Sequence, residues 1–361
     1  MRILFITSSS INGGAQKHIR EMFKSLTLLG HEVYLVAPSG WLTDELALYG
    51  DNVIRMNLSL KNTSKIADVI ERINPEITNT FILSGGVFGT IAWKKRKTGK
   101  LFVTVNNPVI YPGISRIGKF VYPNLYRWMS KYVSAFLVKA DKVRDEVASV
   151  IRHKKPVISI KNGIDFETFD KEKVYPDIKE GMGIKCKDIV ISNVAALDVR
   201  KGQEYLIEAA VELREEYPIH VLLVGEGNDE ERLKRLVKDK NAEAYIHFLG
   251  RRGDINCVLA NSDIFVLSSL HEGLPNALME AMAMGLPCVA TDVGGVRQLI
   301  DGDDKGIVIK SESASDIKNA IEELLSNSNA EMRGLNAYVK MKTEFSQNVV
   351  VRELVKIYES Y

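Results

Sequence analysis

The sequence predicts an α/β protein made of two doubly wound halves. Short apolar runs alternate with segments of helical period, the alternation lapses once near the middle, and 361 residues exceed what one hydrophobic core usually holds. Apolar runs closed by turn residues suit strands buried on both faces, as in a parallel sheet covered by helices.

The first strand reads Arg2 to Thr7, and the loop SSSINGGAQ follows it. From Lys17 onward Ile19, Met22, Phe23, Leu26 and Leu29 recur at helical spacing, with Gly30 as a natural stop. Glu32 to Ala37 is a second strand, closed by Pro38-Ser39-Gly40. Further strands fall near 53–57, 77–83, 101–105, 134–138 and 157–160, with helical stretches between them. From 161 to 187 turn dipeptides and charges replace any sustained period, which marks a connector.

A second series then runs Ile189 to Val194, helix 202–216, Ile219 to Gly225, helix 229–239, and Tyr245 to Leu249. Helix 254–260, Ile264 to Leu267, helix 276–284, Pro287 to Ala290 and a short strand at 306–309 complete it. Residues 315–361 read as mostly helical. Domains are expected at 1–163 and 164–344, with the C-terminal helix 345–361 packing back on the first. Ligands of such sheets bind at the carboxyl ends of strands, and two halves facing across a cleft would hold one between them.

Composition narrows the class. Hydrophobic residues make up 45% and charged residues 26%, and the formal charge of +2 points to no polyanion partner. Cys186, Cys257 and Cys288 are far apart with no CxxC, so neither a disulfide framework nor a zinc site is indicated. Buried thiols in a reducing cytoplasm are expected. MRILFITSSS is too short an apolar run for a signal peptide, and no stretch approaches the roughly 18 apolar residues of a membrane span. A cytoplasmic or peripheral protein is expected.

Four loops could carry chemistry. Gly13-Gly14 lies between a strand and a helix, where backbone can approach a phosphate, although a simple tight turn reads as well. No G-x-G-x-x-G is present, and the second strand ends Val36-Ala37-Pro38 without the acid that binds an adenosine ribose, which disfavours a nicotinamide enzyme. Arg200 and Lys201 follow a strand and precede a helix, a suitable place for a diphosphate or an exposed basic turn. Gly225-Glu226-Gly227 ends another strand, and its glycines allow a flat ring near the backbone.

The fourth loop opens HEGLPNALMEAMAMGLP. Glu272 stands after the strand Ile264 to Leu267, and Glu280 about one turn inside the helix begun at Asn276. Their separation is on the order of 10 Å. That is too far for two carboxylates sharing one bond. It suits the two ends of an extended ligand, with helix N–H groups facing an anion between them. The plain alternative is a surface acid and a satisfied core carboxylate, but a glutamate among Ala, Met and Leu is costly unless paired.

Taken together these residues resemble the retaining GT-B glycosyltransferases of family 4, whose signature is E-x7-E, here Glu272-GLPNALM-Glu280. The resemblance spans the chain through the GG loop, LLGHEV, KNGID at 161–165, RKG at 200–202 and VGEG. It implies the GT-B fold, two Rossmann-like domains across a cleft, and a nucleotide-sugar donor held mostly by the second. Glu272 would sit by the transferred sugar. Backbone N–H groups of Gly273, Leu274, Pro275's turn and Asn276 would hold sugar hydroxyls and phosphate. Glu280 would bind the ribose, Arg200 and Lys201 would neutralise the leaving diphosphate, and Gly14 beside Gly13 would close over the phosphates. The base would stack near Gly225, Glu226 and the Leu249-Gly250-Arg251 turn.

Two positions depart from the family pattern. Ala195-Ala196 replaces a common Gly-Arg before the RK pair, removing one phosphate cation. Asn106 stands where a histidine often follows the fifth strand; it can hydrogen-bond an acceptor-side hydroxyl but carries no proton at neutral pH. No metal or other cofactor is expected, since the one D-x-D string, Asp301-Gly302-Asp303, reads as a solvated turn.

From Lys94 to Lys155 fifteen Lys and Arg face three Asp and Glu, interleaved with Trp93, Phe102, Tyr111, Phe120, Tyr122, Tyr126, Trp128 and Tyr132. This suits an anionic leaflet or a solvated basic face over an aromatic core; no nucleic-acid module accompanies it. The resulting expectation is a hexosyl-type transferase using a UDP- or GDP-sugar and a glycan or lipid-linked acceptor of the bacterial cell surface, at the inner face of the membrane. A nucleotide-sugar epimerase or hydrolase of the same fold, or a non-catalytic sugar-nucleotide-binding subunit, is the alternative.

Overall fold

The computed structural model describes residues 1–105, 109, 114–139, 141–151, 155–326 and 329–361. The chain forms two compact units, residues 1–163 with 347–361, and residues 164–346.

Unit 1 starts with β1 (Arg2–Thr7), α1 (Gly14–Leu28), β2 (Glu32–Ala37), α2 (Trp41–Glu45), β3 (Val53–Arg55), α3 (Thr63–Ile73) and β4 (Ile77–Phe81). It continues with α4 (Leu83–Arg96), β5 (Lys100–Val105), α5 (Arg116–Met129), β6 (Ala135–Val138), α6 (Asp141–Val150) and β7 (Val157–Ser159). The strands are parallel in the order β3-β2-β1-β4-β5-β6-β7, with Phe5 in register with Leu35 and Asn79. Successive strand residues point to opposite faces. Ile3 and Phe5 therefore pack with α1, and Leu4 and Ile6 with α3. Burial on both faces is why RILFIT shows no polar alternation.

Ile19, Met22, Phe23 and Leu26 are fully buried on α1, as their spacing predicts. Leu29 is not on that stripe: the helix ends before it, and it is 42% exposed. The helix also starts earlier than Lys17, because the Lys17 N–H reaches Gly13 O at 2.9 Å and closes a first turn over the two glycines.

Unit 2 contains β8 (Ile189–Val194), α7 (Gln203–Leu213), β9 (Ile219–Val224), α8 (Glu230–Asp239), β10 (Ile246–Phe248), α9 (Ile255–Ala260) and β11 (Ile264–Leu267). After these come α10 (Asn276–Ala283), β12 (Cys288–Thr291), α11 (Val296–Leu299), β13 (Ile307–Ile309), α12 (Ala314–Ser326) and α13 (Ala330–Glu344). Its parallel sheet has the order β10-β9-β8-β11-β12-β13. One face, with Ile191, Leu223 and Val266, meets α7, α8 and α12; the other, with Phe265, Leu267 and Cys288, meets α10 and α13. The short helices α2 and α11 escape the sequence reading because a single turn carries too few apolar positions to show a period. Cys257 and Cys288 are buried thiols, but Cys186 is exposed, a correction that follows from its place in the polar stretch KCKD before β8. Among the described residues no helix is long and apolar enough to cross a membrane.

The chain then returns to unit 1 as α14 (Gln347–Ser360), beside α1. Val351, Leu354 and Tyr358 join the core with Phe102 and Leu137, and the Tyr358 ring lies 5.0 Å from that of Phe102. Asn79 Nδ2 donates to the Tyr358 hydroxyl at 2.7 Å, while Thr104 Oγ1 donates to Asn79 Oδ1 at 2.9 Å. Tyr358→Phe strands the buried Asn79 amide without its acceptor. The expected loss is about 1–3 kcal/mol, read as a lower urea midpoint for unit 1; an unchanged midpoint would mean the bond contributes nothing.

Candidate functional site at the winding reversal

The sheet of unit 2 grows one way from β8 through β9 to β10, and the other way from β11 through β12 to β13. The helices after β8 and β11 cover opposite faces, the arrangement in which the two intervening loops part and such sheets take ligands at their carboxyl edge. Those loops are residues 195–202 and 268–275, which hold Arg200, Lys201 and Glu272.

Backbone and side-chain bonds stitch the two loops together. Leu270 N donates to Arg200 O at 2.8 Å, and Ser268 Oγ donates to Lys201 O at 2.9 Å. Gly202, at φ +60°, lies so close that an added Cβ would stand 2.2 Å from Ser268 O. This approach brings Lys201 Nζ to 2.7 Å from Glu272 Oε1, with side chains only 24% and 12% exposed. Ser269 Oγ donates to the same carboxylate oxygen at 2.6 Å, and its carbonyl is held by Thr291 Oγ1 at 2.5 Å. The loop after β12 supports the far side, where Gly295 N donates to Gly273 O at 2.6 Å. Glu272 is thus fixed by a charge and a hydroxyl, on a loop braced at Gly273.

Arg200 is arranged differently. Asp198 caps the single turn Val199–Lys201, accepting from Arg200 N at 2.9 Å. The guanidinium folds back on the same carboxylate as a fork, Nε at 2.8 Å and Nη2 at 3.0 Å, and its side chain is 72% exposed. These hydrogen bonds hold the Asp198 carboxyl at about 2. Lys201 is therefore turned across to Glu272 of the neighbouring loop while the exposed Arg200 stays on its own turn. Asp198 and Ser269 were not singled out from the sequence, although the D-x-R spacing of a capped turn and the Ser-Ser pair before HEG were visible signals.

The remaining candidates fall into three groups. Gly273 and Asn276 are exposed, Leu274 is half-buried, and Pro275 precedes α10, whose first turn has no side-chain cap. Glu280 is half-buried one turn into α10. Gly225 and Gly227 carry backbone packing: a Cβ on them would stand 1.9 Å from Ala195 O and 2.1 Å from Leu197 O. Glu226 is exposed and accepts from Arg251 N at 3.4 Å, and Gly225 N donates to Gly250 O at 2.9 Å, so these two turns meet beside the loop after β8. In unit 1, Gly13 and Gly14 form the uncapped start of α1, and Asn106 lies outside the described residues. Asp301 is bound by Lys340 at 2.6 Å and Lys305 at 3.3 Å, a structural role for the D-x-D string. A cavity of about 590 Å³ lined by Lys171, Tyr175, Ile184, Asn261 and Met284 opens where the chain enters β8, β11 and β12, at the other edge of the sheet.

Residues 174–341 match the family model described as glycosyl transferases group 1, and residues 12–168 that described as Glycosyltransferase Family 4. The N,N'-diacetylbacillosaminyl-diphospho-undecaprenol alpha-1,3-N-acetylgalactosaminyltransferase of Campylobacter jejuni is 27% identical, over 99% of this chain and 98% of its own. The UDP-Gal:alpha-D-GlcNAc-diphosphoundecaprenol alpha-1,3-galactosyltransferase of Escherichia coli is 26% identical, over 100% and 96%. Anabaena HepE, solved with UDP, superposes with a TM-score of 0.87 at 19% identity, covering all of both chains, so the fold is shared.

Two substitutions test this geometry by stability alone. Gly202→Ala should cost more than about 1 kcal/mol and lower the thermal midpoint, since the left-handed backbone and the Ser268 carbonyl both oppose it. Asp198, depressed from its ordinary 3.8, stabilises the fold above about pH 4 and ceases to do so as pH falls through about 2. Asp198→Asn should therefore flatten the acid limb of a stability–pH profile; an unchanged limb would remove Arg200–Asp198 as a source of acid sensitivity.

Proposed function

The chain belongs to the group 1, family 4 glycosyltransferases of GT-B fold, and from that premise we propose that it moves a sugar from a UDP- or GDP-sugar onto a diphosphate-linked lipid acceptor, retaining the anomeric configuration. The observation that carries the site is the Lys201–Glu272 pair across the two loops at the winding reversal. The names of the full-length relatives, both acting on diphospho-undecaprenol glycans of bacteria, support the acceptor class, and the UDP in HepE favours a uridine donor.

As the sugar–phosphate bond breaks, negative charge gathers on the departing phosphate and positive charge on the sugar. Lys201 offsets the first, and Arg200, turned from Asp198 toward the ligand, adds a second cation in place of the arginine that Ala196 lacks. Uncapped N–H groups at the start of α10 face the same anion. Glu272 accepts from a sugar hydroxyl while Ser269 keeps its carboxylate aimed, and Glu280 accepts from the ribose. The acceptor oxygen attacks from the face that the phosphate leaves, and the phosphate oxygen takes its proton, so the scheme uses no separate base and no metal.

For the inner membrane face, α5 supports one contact. Its start exposes Ile117 at 76% and Phe120 at 75%, with Val121, beside exposed Arg116 and Lys119. Of the aromatic residues in the basic segment, Phe102 and Tyr126 are core residues instead, Trp93, Tyr122, Trp128 and Tyr132 are half-buried against that core, and Tyr111 lies outside the described residues.

Calorimetry against UDP-, GDP- and ADP-sugars should show a uridine preference; no binding to any would sink the reading. Glu272→Gln and Lys201→Met should each lower kcat by about 100-fold or more, with the nucleotide still bound. Full transfer by Glu272→Ala would refute the assigned role. Anionic vesicles should co-sediment the protein at moderate salt, and Phe120→Glu should weaken this; equal sedimentation of the variant would exclude α5.

A further inference from the structure

Unit 1 contains a facing pair of side chains that the scheme above leaves unused. His18 lies one turn into α1, and Lys139 follows the last residue of β6. Lys139 Nζ and His18 Nε2 are in hydrogen-bonding contact. Both are partly buried, burial lowers the basicity of each, and Lys139 lowers that of His18 further.

No carboxylate answers the pair among the described residues. On α1 and α2, Glu21 and Glu45 are bound by Arg20, and Asp44 by Arg55. On β2, Glu32 is taken by Tyr34; on α14, Glu359 acts on His31. Lys17 is exposed on α1; on α6 Asp145 is held by Arg144, Glu146 accepts from Val109 N at 3.1 Å, and the side chains of Asp141 and Lys142 lie outside the described residues. Among the described residues, the charge that lowers the basicity of His18 is that of Lys139.

Two nitrogen bases in direct contact need a lone pair on one of them, so together they hold one proton fewer than two separated cations would. An enclosed pair of this kind gains most from an anion, which lets both nitrogens carry charge and donate to it. Its place fits such a ligand, because the carboxyl ends of parallel strands and the starts of their helices are where these sheets take anions.

We propose that His18 and Lys139 form an anion site in unit 1 that takes the phosphate or diphosphate group of the acceptor. The proposal rests on the reading of the chain as a transferase with a diphosphate-linked acceptor. Binding draws a proton from solvent, because the second nitrogen becomes charged as the phosphate oxygens arrive. Donor phosphates are met by Lys201 in the other unit, so the two anion sites are separable by substitution.

The test is titration calorimetry of the UDP-saturated protein with farnesyl diphosphate, and separately with inorganic pyrophosphate, in two buffers of different ionisation enthalpy near neutral pH. Farnesyl diphosphate should bind with net proton uptake. Lys139→Met should weaken it about tenfold or more, and His18→Gln should remove most of the uptake, both with UDP affinity unchanged. Pyrophosphate binding with the same uptake would assign recognition to the phosphates alone; binding only with the prenyl chain would assign it to the lipid-linked form. Failure of the UDP-saturated wild type to bind either probe, or an affinity loss for UDP in place of the diphosphate probe, would overturn the site. Loss of UDP binding by the wild type would instead overturn the donor reading, so the two failures are distinct.

Discussion

Parallel pairing is the constraint from which the rest of this molecule follows. When every strand of a sheet runs the same way, each return must cross a face as a helix, and every strand delivers its carboxyl end to one edge. That edge collects all the loops after strands. Where the winding changes direction between β8 and β11, helices leave on opposite faces and no connection fills the gap. The same strand pattern in unit 1 places the change between β1 and β4. There Ser8 and Ser84 meet at 2.6 Å, and Ile82 is held at φ +65°, an uncommon conformation for a β-branched residue.

Charge is distributed on this scaffold by exposure. The Arg200–Asp198 fork is open to water, where Arg200 can exchange partners readily. Lys201 and Glu272 are largely enclosed, and a third group, Ser269, satisfies the carboxylate. Removing either partner would leave the other charge poorly solvated, which makes the inner pair the rigid element and the outer one the adjustable one.

The strand and helix series was legible in the residues because apolar period and turn chemistry agree over long segments. RILFIT, IFVL and the Ile19–Leu26 stripe each need only local pattern to be placed. What escaped the reading depends on contacts between distant loops. Gly225 and Gly227 looked like space for a ring, and they also accommodate the Ala195 and Leu197 carbonyls. Arg200 and Lys201 are neighbours of like charge, yet one turn of helix sends them to different partners. Cys186 was misplaced because a thiol's average burial says nothing of the polar residues beside it. His18 and Lys139 are far apart in sequence, and only the arrangement of α1 against β6 brings them together.

The return of α14 to unit 1 bears on the order in which the molecule can be made. Residues 1–163 leave the ribosome before unit 2, but they wait for Val351, Leu354 and Tyr358 to close their core. Unit 2 is contiguous and has all its elements once residue 346 has emerged. Vectorial synthesis therefore completes the second unit before the first, and the nascent first unit keeps an open apolar face beside α1 until α14 has emerged, an interval in which chaperones have reason to hold it.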